Sequence, residues 1–300
     1  MIVRLSTKDR LLQRLAMERR RVVAAWRIAV YLRGESGEHL DASSTESRTY
    51  GLMARMVLRR DLAPVPGVRG VFTVEVPYAR TFPVSDEQVI HEANPCAVFS
   101  HLTAIAHHAL TVQIPRGIQV THFPGQSWQH RLPFGTTPED WAYRRRPPAG
   151  QPKTIGAVQV HWHQCKAEWD FGHTVAFSQG QPIYVTDLER TLLDSLRDPD
   201  ACGGMTNTLE AWRRAKDSVD VSRLIEYADR FGIDVLKARA GFLIESLGMS
   251  HGRLDEWAAS MPRGGSMRLV PGRPFETAHS ERWNLSLNLP LDALAILEAA

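Results

Sequence analysis

The chain has 300 residues, 43% hydrophobic and 23% charged, enough apolar material for roughly two globular domains at ~100–200 residues each. No apolar run approaches the ~20 residues that span a bilayer, and the opening MIVRLSTKDR turns to charge at once, so neither a membrane span nor a secretory leader is expected. Cys96, Cys165 and Cys202 are few, far apart and odd in number, which argues against a disulfide framework and for reduced thiols in a cytoplasmic setting.

The net charge of +3 conceals an asymmetry. Residues 1–80 hold 15 Lys and Arg against 8 Asp and Glu, a net +7, while the remainder holds 21 against 25, a net −4. A basic head suits a polyanion such as DNA, although a solvated helical domain rich in arginine gives the same count. Ser6 and Asp9 open a first helix whose apolar face is Leu11, Leu12 and Leu15. A second helix is expected over Val22–Leu32, with Gly34 as its stop, then a polar turn from Glu35 to Ala42. Ser43 and Glu46 form an S-x-x-E box that opens a third helix to about Arg60.

At ~100° per residue, Arg48, Arg55 and Arg59 share one side of the third helix, while Tyr50, Met53, Met56 and Val57 lie on the other. Leu62–Val65, the turn Pro66–Gly70 and Val71–Val74 read as a hairpin. Three helices and a hairpin predict a winged helix-turn-helix with Arg69 at the wing tip, the turn before the third helix being longer than usual. The expected DNA-contacting residues are Ser44, Thr45, Ser47, Arg48, Arg55 and Arg59 on the third helix, and Arg69 on the wing.

A proline-punctuated stretch, Pro77–Pro83, divides this head (1–80) from a body (81–300). In the body a short helix capped by Ser85, a helix over Val98–Leu110 and a strand Ile118–Thr121 are expected. A long irregular excursion covers residues 124–153, before strands at Thr154–His163, Thr174–Ser178 and Ile183–Val185. Thr186 and Glu189 form a T-x-x-E box opening a helix at Asp187, with Leu188, Leu192 and Leu196 as its apolar stripe. Pro199 ends it, and Gly203-Gly204 turn into a helical array, Thr206–Lys216, Val221–Phe231, Asp234–Leu247 and Leu254–Ala259, with a strand Trp283–Leu287 and a helix Leu291–Ala299 at the end. The fold class expected is α+β: a winged helix-turn-helix, then a mixed-sheet domain with a helical array.

The run Tyr184–Leu196 (YVTDLERTLLDSL), its Pro-Asp turn, the Gly203-Gly204 pair and the helices beyond resemble the AbiEi antitoxin family, transcriptional regulators of bacterial phage-defence operons. The segment Ala97–Ile105 with His108–Thr111 is similar to that family's helix entering the same domain. Both stretches are packing signatures. The resemblance implies a DNA-binding autorepressor that recognises inverted repeats at its own promoter, and a larger domain that counteracts a cognate nucleotidyltransferase-like toxin.

Four other constellations bear on chemistry. His161, His163 and Cys165 share one face of a strand, but no C-x-x-C accompanies them and a polar strand face explains them as well, so no metal is expected. Lys166, Glu168 and Asp170 are the set a metal-dependent DNA nuclease would use, and they carry the alternative function, beside a repressor that senses a small ligand. Arg190 and Asp194, an i, i+4 pair placed away from Leu188 and Leu192, read as a surface or half-buried structural pair of ~0.3–0.5 kcal/mol. Ser100 with His101, His107 and His108 lacks a G-x-S-x-G elbow, and no P-loop, G-x-G-x-x-G or H-E-x-x-H occurs, so neither catalysis nor a cofactor is expected.

Overall fold

Short polar side chains start several of the helices, because an oxygen there takes up a backbone amide that the first turn leaves unpaired. The computed structural model describes residues 5–36, 42–124, 131–141, 149–262, 265–289 and 291–298. The protein is α+β, and its chain forms two compact units, each assembled from several stretches. Among the described residues no helix is long and apolar enough to cross a membrane.

Unit 1 comprises residues 1–97, 122–167 and 175–184, so it runs through Pro77–Pro83. It opens with α1 (Thr7–Met17), whose Ser6 and Asp9 form the expected capping box. Next come β1 (Val22–Ala24), α2 (Ala25–Ser36), α3 (Ala42–Leu58), β2 (Leu62–Pro64) and β3 (Val71–Val74). The three strands form an antiparallel sheet in the order β1-β3-β2, with Val23 opposite Phe72 and Ala63 opposite Thr73.

Two expectations are corrected here. Val22–Ala24 is a strand and not the first turn of the second helix: paired with β3, it seals an edge of the hairpin that would otherwise leave amides and carbonyls unmatched. The second helix also continues through Gly34 to Ser36. The third helix begins at Ala42, one residue before Ser43; residues 37–41 and the side chains of the S-x-x-E box lie outside what the structure describes.

The helix α4 (Asp86–Ala93) is capped by Ser85, which accepts the amide of Gln88 as expected. Its Glu92 is buried and ties the head to the rest of unit 1. One carboxylate oxygen accepts the Ala24 amide at 2.8 Å, and the other takes Arg27 Nε at 2.7 Å and Arg20 at 3.4 Å. Trp26 Nε1 donates to the Glu92 carbonyl at 2.8 Å, and Arg20 and Tyr31 both donate to Glu18. Burial would raise the Glu18 carboxyl, but those donors and the neighbouring arginines hold it below the ordinary range. Within the 124–153 excursion, Pro138–Trp141 forms a one-turn helix, α6, while residues 125–130 and 142–148 are outside the described set. Hairpins β6–β7 (Thr154–Ile155 and Val158–Gln164) and the adjoining parts of β8 (His173–Ser178) and β9 (Gln181–Thr186) complete the unit.

Unit 2 comprises residues 98–121, 168–174 and 185–300. Val98–Phe99 is a two-residue strand, β4, paired antiparallel with β5 (Gly117–His122) and parallel with β9 at Val185, so the expected mixed sheet is present. The helix expected from Val98 therefore starts only after Ser100, as α5 (His101–His107).

At the centre of unit 2 lies α7 (Leu188–Arg197). Its cap is Asp187, whose carboxylate accepts the Arg190 amide at 2.9 Å; Thr186 instead bonds Thr191, and Glu189 turns away to the amide of Asp220. Every residue from Glu189 to Leu196 is buried. Arg190 is thus not a surface residue: at 0% exposure it lies over the rings of Phe171 and Phe231, bonds Asp194 at 3.0 Å and donates to the carbonyls of Trp169 at 2.7 Å and Phe171 at 2.9 Å. The pair points away from the leucine stripe as expected, but residues 169–171 cover that side.

Around α7 pack α8 (Met205–Ala215), α9 (Val221–Phe231), α10 (Asp234–Ser246) and α11 (Arg253–Ser260), followed by the short strands β10 (Met267–Arg268), β11 (His279–Ser280) and β12 (Leu285–Ser286) and α12 (Leu291–Glu298). Gly203, Gly204, Gly232 and Gly248 all take the left-handed φ expected of turns and helix stops. Gly241 is different: it sits mid-helix in α10, where an added Cβ would enter the ring of buried Trp283. Gly241→Ala should therefore destabilise the protein by ~1–3 kcal/mol despite alanine's higher helix propensity, and a thermal melt at or above wild type would refute that contact.

Candidate nucleic-acid interface

The helix α3 has a buried arc and an exposed one. Thr49, Leu52, Met53 and Met56 are buried, and Ser47, Arg48, Ala54, Arg55, Leu58 and Arg59 are exposed. Counting ~100° per residue, Arg48 and Arg55 lie on one flank of the exposed arc, and Arg59, expected within the third helix, instead follows its last residue, Leu58, and lines the same groove as Arg55. Tyr50 was expected on the apolar side. It is instead 65% exposed, on the flank opposite the arginines, because the buried arc spans only about 100° and Tyr50 falls beyond its edge. Ser44 and Thr45 belong to α3, but their side chains lie outside what the structure describes.

Arg69 is exposed in the turn between β2 and β3. Gly67 and Gly70 on either side of it take φ values of +76° and +73°, while Val65 and Val68 are buried beneath and anchor the turn. The Val65 amide donates to Val71 at 3.0 Å, and the Val68 amide to Val65 at 3.1 Å. Arg55 and Arg59 also line a groove with Ser6, Lys8 and Asp9 at the start of α1.

Charge is distributed unevenly over these elements. Asp61 binds Lys8 at 2.8 Å, Glu75 binds Arg21 at 3.3 Å, Glu18 takes Arg14 and Arg20, and Asp9 is held by Ser6. The Ser6 hydroxyl keeps the Asp9 carboxyl below its ordinary range. These acids thereby satisfy basic residues or a helix start. Among the described residues, the side chains of Arg48, Arg55, Arg59 and Arg69 have no hydrogen bond or ion pair. Four cations on an exposed helix flank and a hairpin turn, uncompensated by any described residue, can neutralise an extended anion such as a phosphate backbone.

The other constellations do not converge. His161 is exposed and Cys165 buried, and among the described residues no metal-ligand cluster joins them. Ala167–Trp169 is a single 3₁₀ turn with Lys166 and Glu168 exposed, and Asp170 lies 3.3 Å from His173. Ser100 occupies a strand-to-helix turn with His101 at φ +52°, closer to an elbow than the sequence suggested. Its hydroxyl is 2.8 Å from His101 Nδ1 and accepts from Thr121 at 2.8 Å, and both Ser100 and His101 are buried.

The fold defines an α+β protein. No protein-family model matches the sequence, and no curated protein does. Among solved structures the chain is similar to the RV2827C protein from Mycobacterium tuberculosis, at 16% identity and a TM-score of 0.51, covering 98% of this chain and 96% of that one. At this identity the likeness concerns the fold alone.

Proposed function

We propose that the protein is a DNA-binding transcriptional autorepressor and antitoxin. The element order α1-β1-α2-α3-β2-β3, with its antiparallel sheet, supports reading the head as a winged helix-turn-helix with α3 as recognition helix and the β2–β3 turn as wing. The observation that carries the reading is the set of four arginines, on or at the end of α3 and on that turn, that have no partner among the described residues. The nucleic acid is duplex DNA at the protein's own promoter, with inverted repeats, and the reading needs no cofactor, metal or catalytic step. The second partner, a cognate nucleotidyltransferase-like toxin, rests on the resemblance of Tyr184–Leu196 and Ala97–Thr111 to the AbiEi family.

Arg48 lies nearer the start of α3 than Arg55 or Arg59, and the amino-terminal part of a recognition helix enters the major groove. Arg48→Ala should lower affinity for the native promoter more than for random duplex, by ~1–3 kcal/mol of discrimination, whereas Arg69→Ala should weaken both alike. Fluorescence anisotropy at matched salt reads this out, and a wild-type protein that binds neither duplex refutes the reading. Co-expression with the adjacent gene, scored for growth, tests the antitoxin half: no protection reduces the protein to a regulator.

A further inference from the structure

Gly51 sits inside α3 with an ordinary helical φ, and an added Cβ would meet nothing nearer than Arg55 Nη1 at 3.9 Å. Neither of the usual structural reasons for glycine applies, since no left-handed backbone requires it and no neighbour among the described residues excludes a methyl group, in contrast to Gly241 beneath Trp283. Glycine inside a helix is unfavourable relative to alanine, so its presence here points to something outside the fold that needs the space. Beside it Tyr50 projects at 65% exposure and makes no hydrogen bond among the described residues. A tyrosine carries a large apolar ring and a hydroxyl that both donates and accepts, and leaving both in water gains the fold nothing. Arg48 lies on one side of Gly51 and Tyr50 on the other, near the middle of α3.

We propose that Tyr50 is a specificity-determining residue that meets base edges in the major groove from the flank opposite Arg48, with Gly51 providing clearance for the helix backbone to approach the bases. This rests on the DNA-binding reading above. The ring can pack on a thymine methyl group and the hydroxyl can bond a base edge, whereas the arginines on the other flank contact phosphate as well as base.

The test uses the full chain, the duplex upstream of its own coding sequence and a scrambled duplex of the same composition. Gly51→Ala should melt at or above the wild-type temperature and yet bind the native duplex more weakly. Gly51→Leu, bulkier but still a good helix former, should weaken that binding by ~ten-fold or more. Tyr50→Ala should weaken native-duplex binding by ~ten-fold while leaving the scrambled duplex within about two-fold, and Tyr50→Phe should retain part of the preference. If wild type prefers the native duplex and these variants keep that preference at wild-type strength, or if Tyr50→Ala loses equally on both, the assignment is overturned while the DNA-binding reading stands. If wild type shows no preference, the loss falls on that reading itself.

Discussion

Arg190→Ala lowers the unfolding free energy by ~3–5 kcal/mol, because it leaves buried Asp194 with only the more exposed Arg197, 3.3 Å away, as a counter-ion, and two inward carbonyls without a donor they now have. It also removes a cation packed over Phe171 and Phe231 at 4.9 and 4.6 Å. The effect equals or exceeds that of Leu192→Ala in the same helix, for which lost burial and a cavity cost ~2–5 kcal/mol. Denaturant melts of both variants check it, and an Arg190 variant within ~0.5 kcal/mol of wild type would mean that the guanidinium is in water. The pair also gives a pH signature. Burial pushes the Asp194 carboxyl up, but Arg190 and Arg197 outweigh burial, so its folded pKa lies below the ordinary carboxylate value. Its contribution is therefore fully present above that ordinary value and is lost as pH falls through the lowered one. Melts from pH 7 down to pH 2 should show this acid loss in wild type and a smaller one in Arg190→Ala.

Glu92→Ala is the second large effect, again ~3–5 kcal/mol, since it strands Arg27 in the interior of unit 1, takes from Arg20 one of its two carboxylates, the other being Glu18, and frees the Ala24 amide. The Arg27 guanidinium is held protonated, Glu92 outweighing its burial, so it cannot escape the loss by neutralising. Glu92→Gln keeps an acceptor for the amide but no charge and should fall between the two. The same network predicts that a fragment ending at residue 80 does not fold, since it keeps Arg27 without its counter-ion and the Ala24 amide without its acceptor. A cooperative melt from that fragment would show that the head is independent of α4.

These two side chains also mark where the sequence was legible. Capping residues and apolar periodicity located Ser6, Ser85 and the helices over 221–231 and 234–246 almost to the residue, because those signals are local. The strand β1 was missed because Val22–Ala24 becomes a strand only through pairing with residues 71–73, some fifty positions away. Arg190 was read as half in water because its cover, Trp169 to Phe171, comes from a different segment, and Glu92 drew no notice because its arginines lie 65 and 72 residues upstream. Within the candidate interface, the arginine flank of α3 and the exposed Arg69 turn followed from helical spacing and turn chemistry. Tyr50 did not, since spacing gives an angle around the helix but not the width of the buried arc.

The central claim is that α3 and the β2–β3 turn bind DNA through exposed arginines that have no partner among the described residues. It is tested most directly by titrating salt against affinity for the upstream duplex, in wild type and in a variant with Arg48, Arg55, Arg59 and Arg69 all changed to alanine. Each phosphate contact contributes about 0.9 to the slope of log K against log salt concentration. Wild type should show a steep negative slope and the variant one shallower by up to ~3.6, with an unchanged melting temperature because none of the four side chains has a partner among the described residues. Equal slopes for the two proteins, or no binding by wild type at low salt, would contradict the assignment.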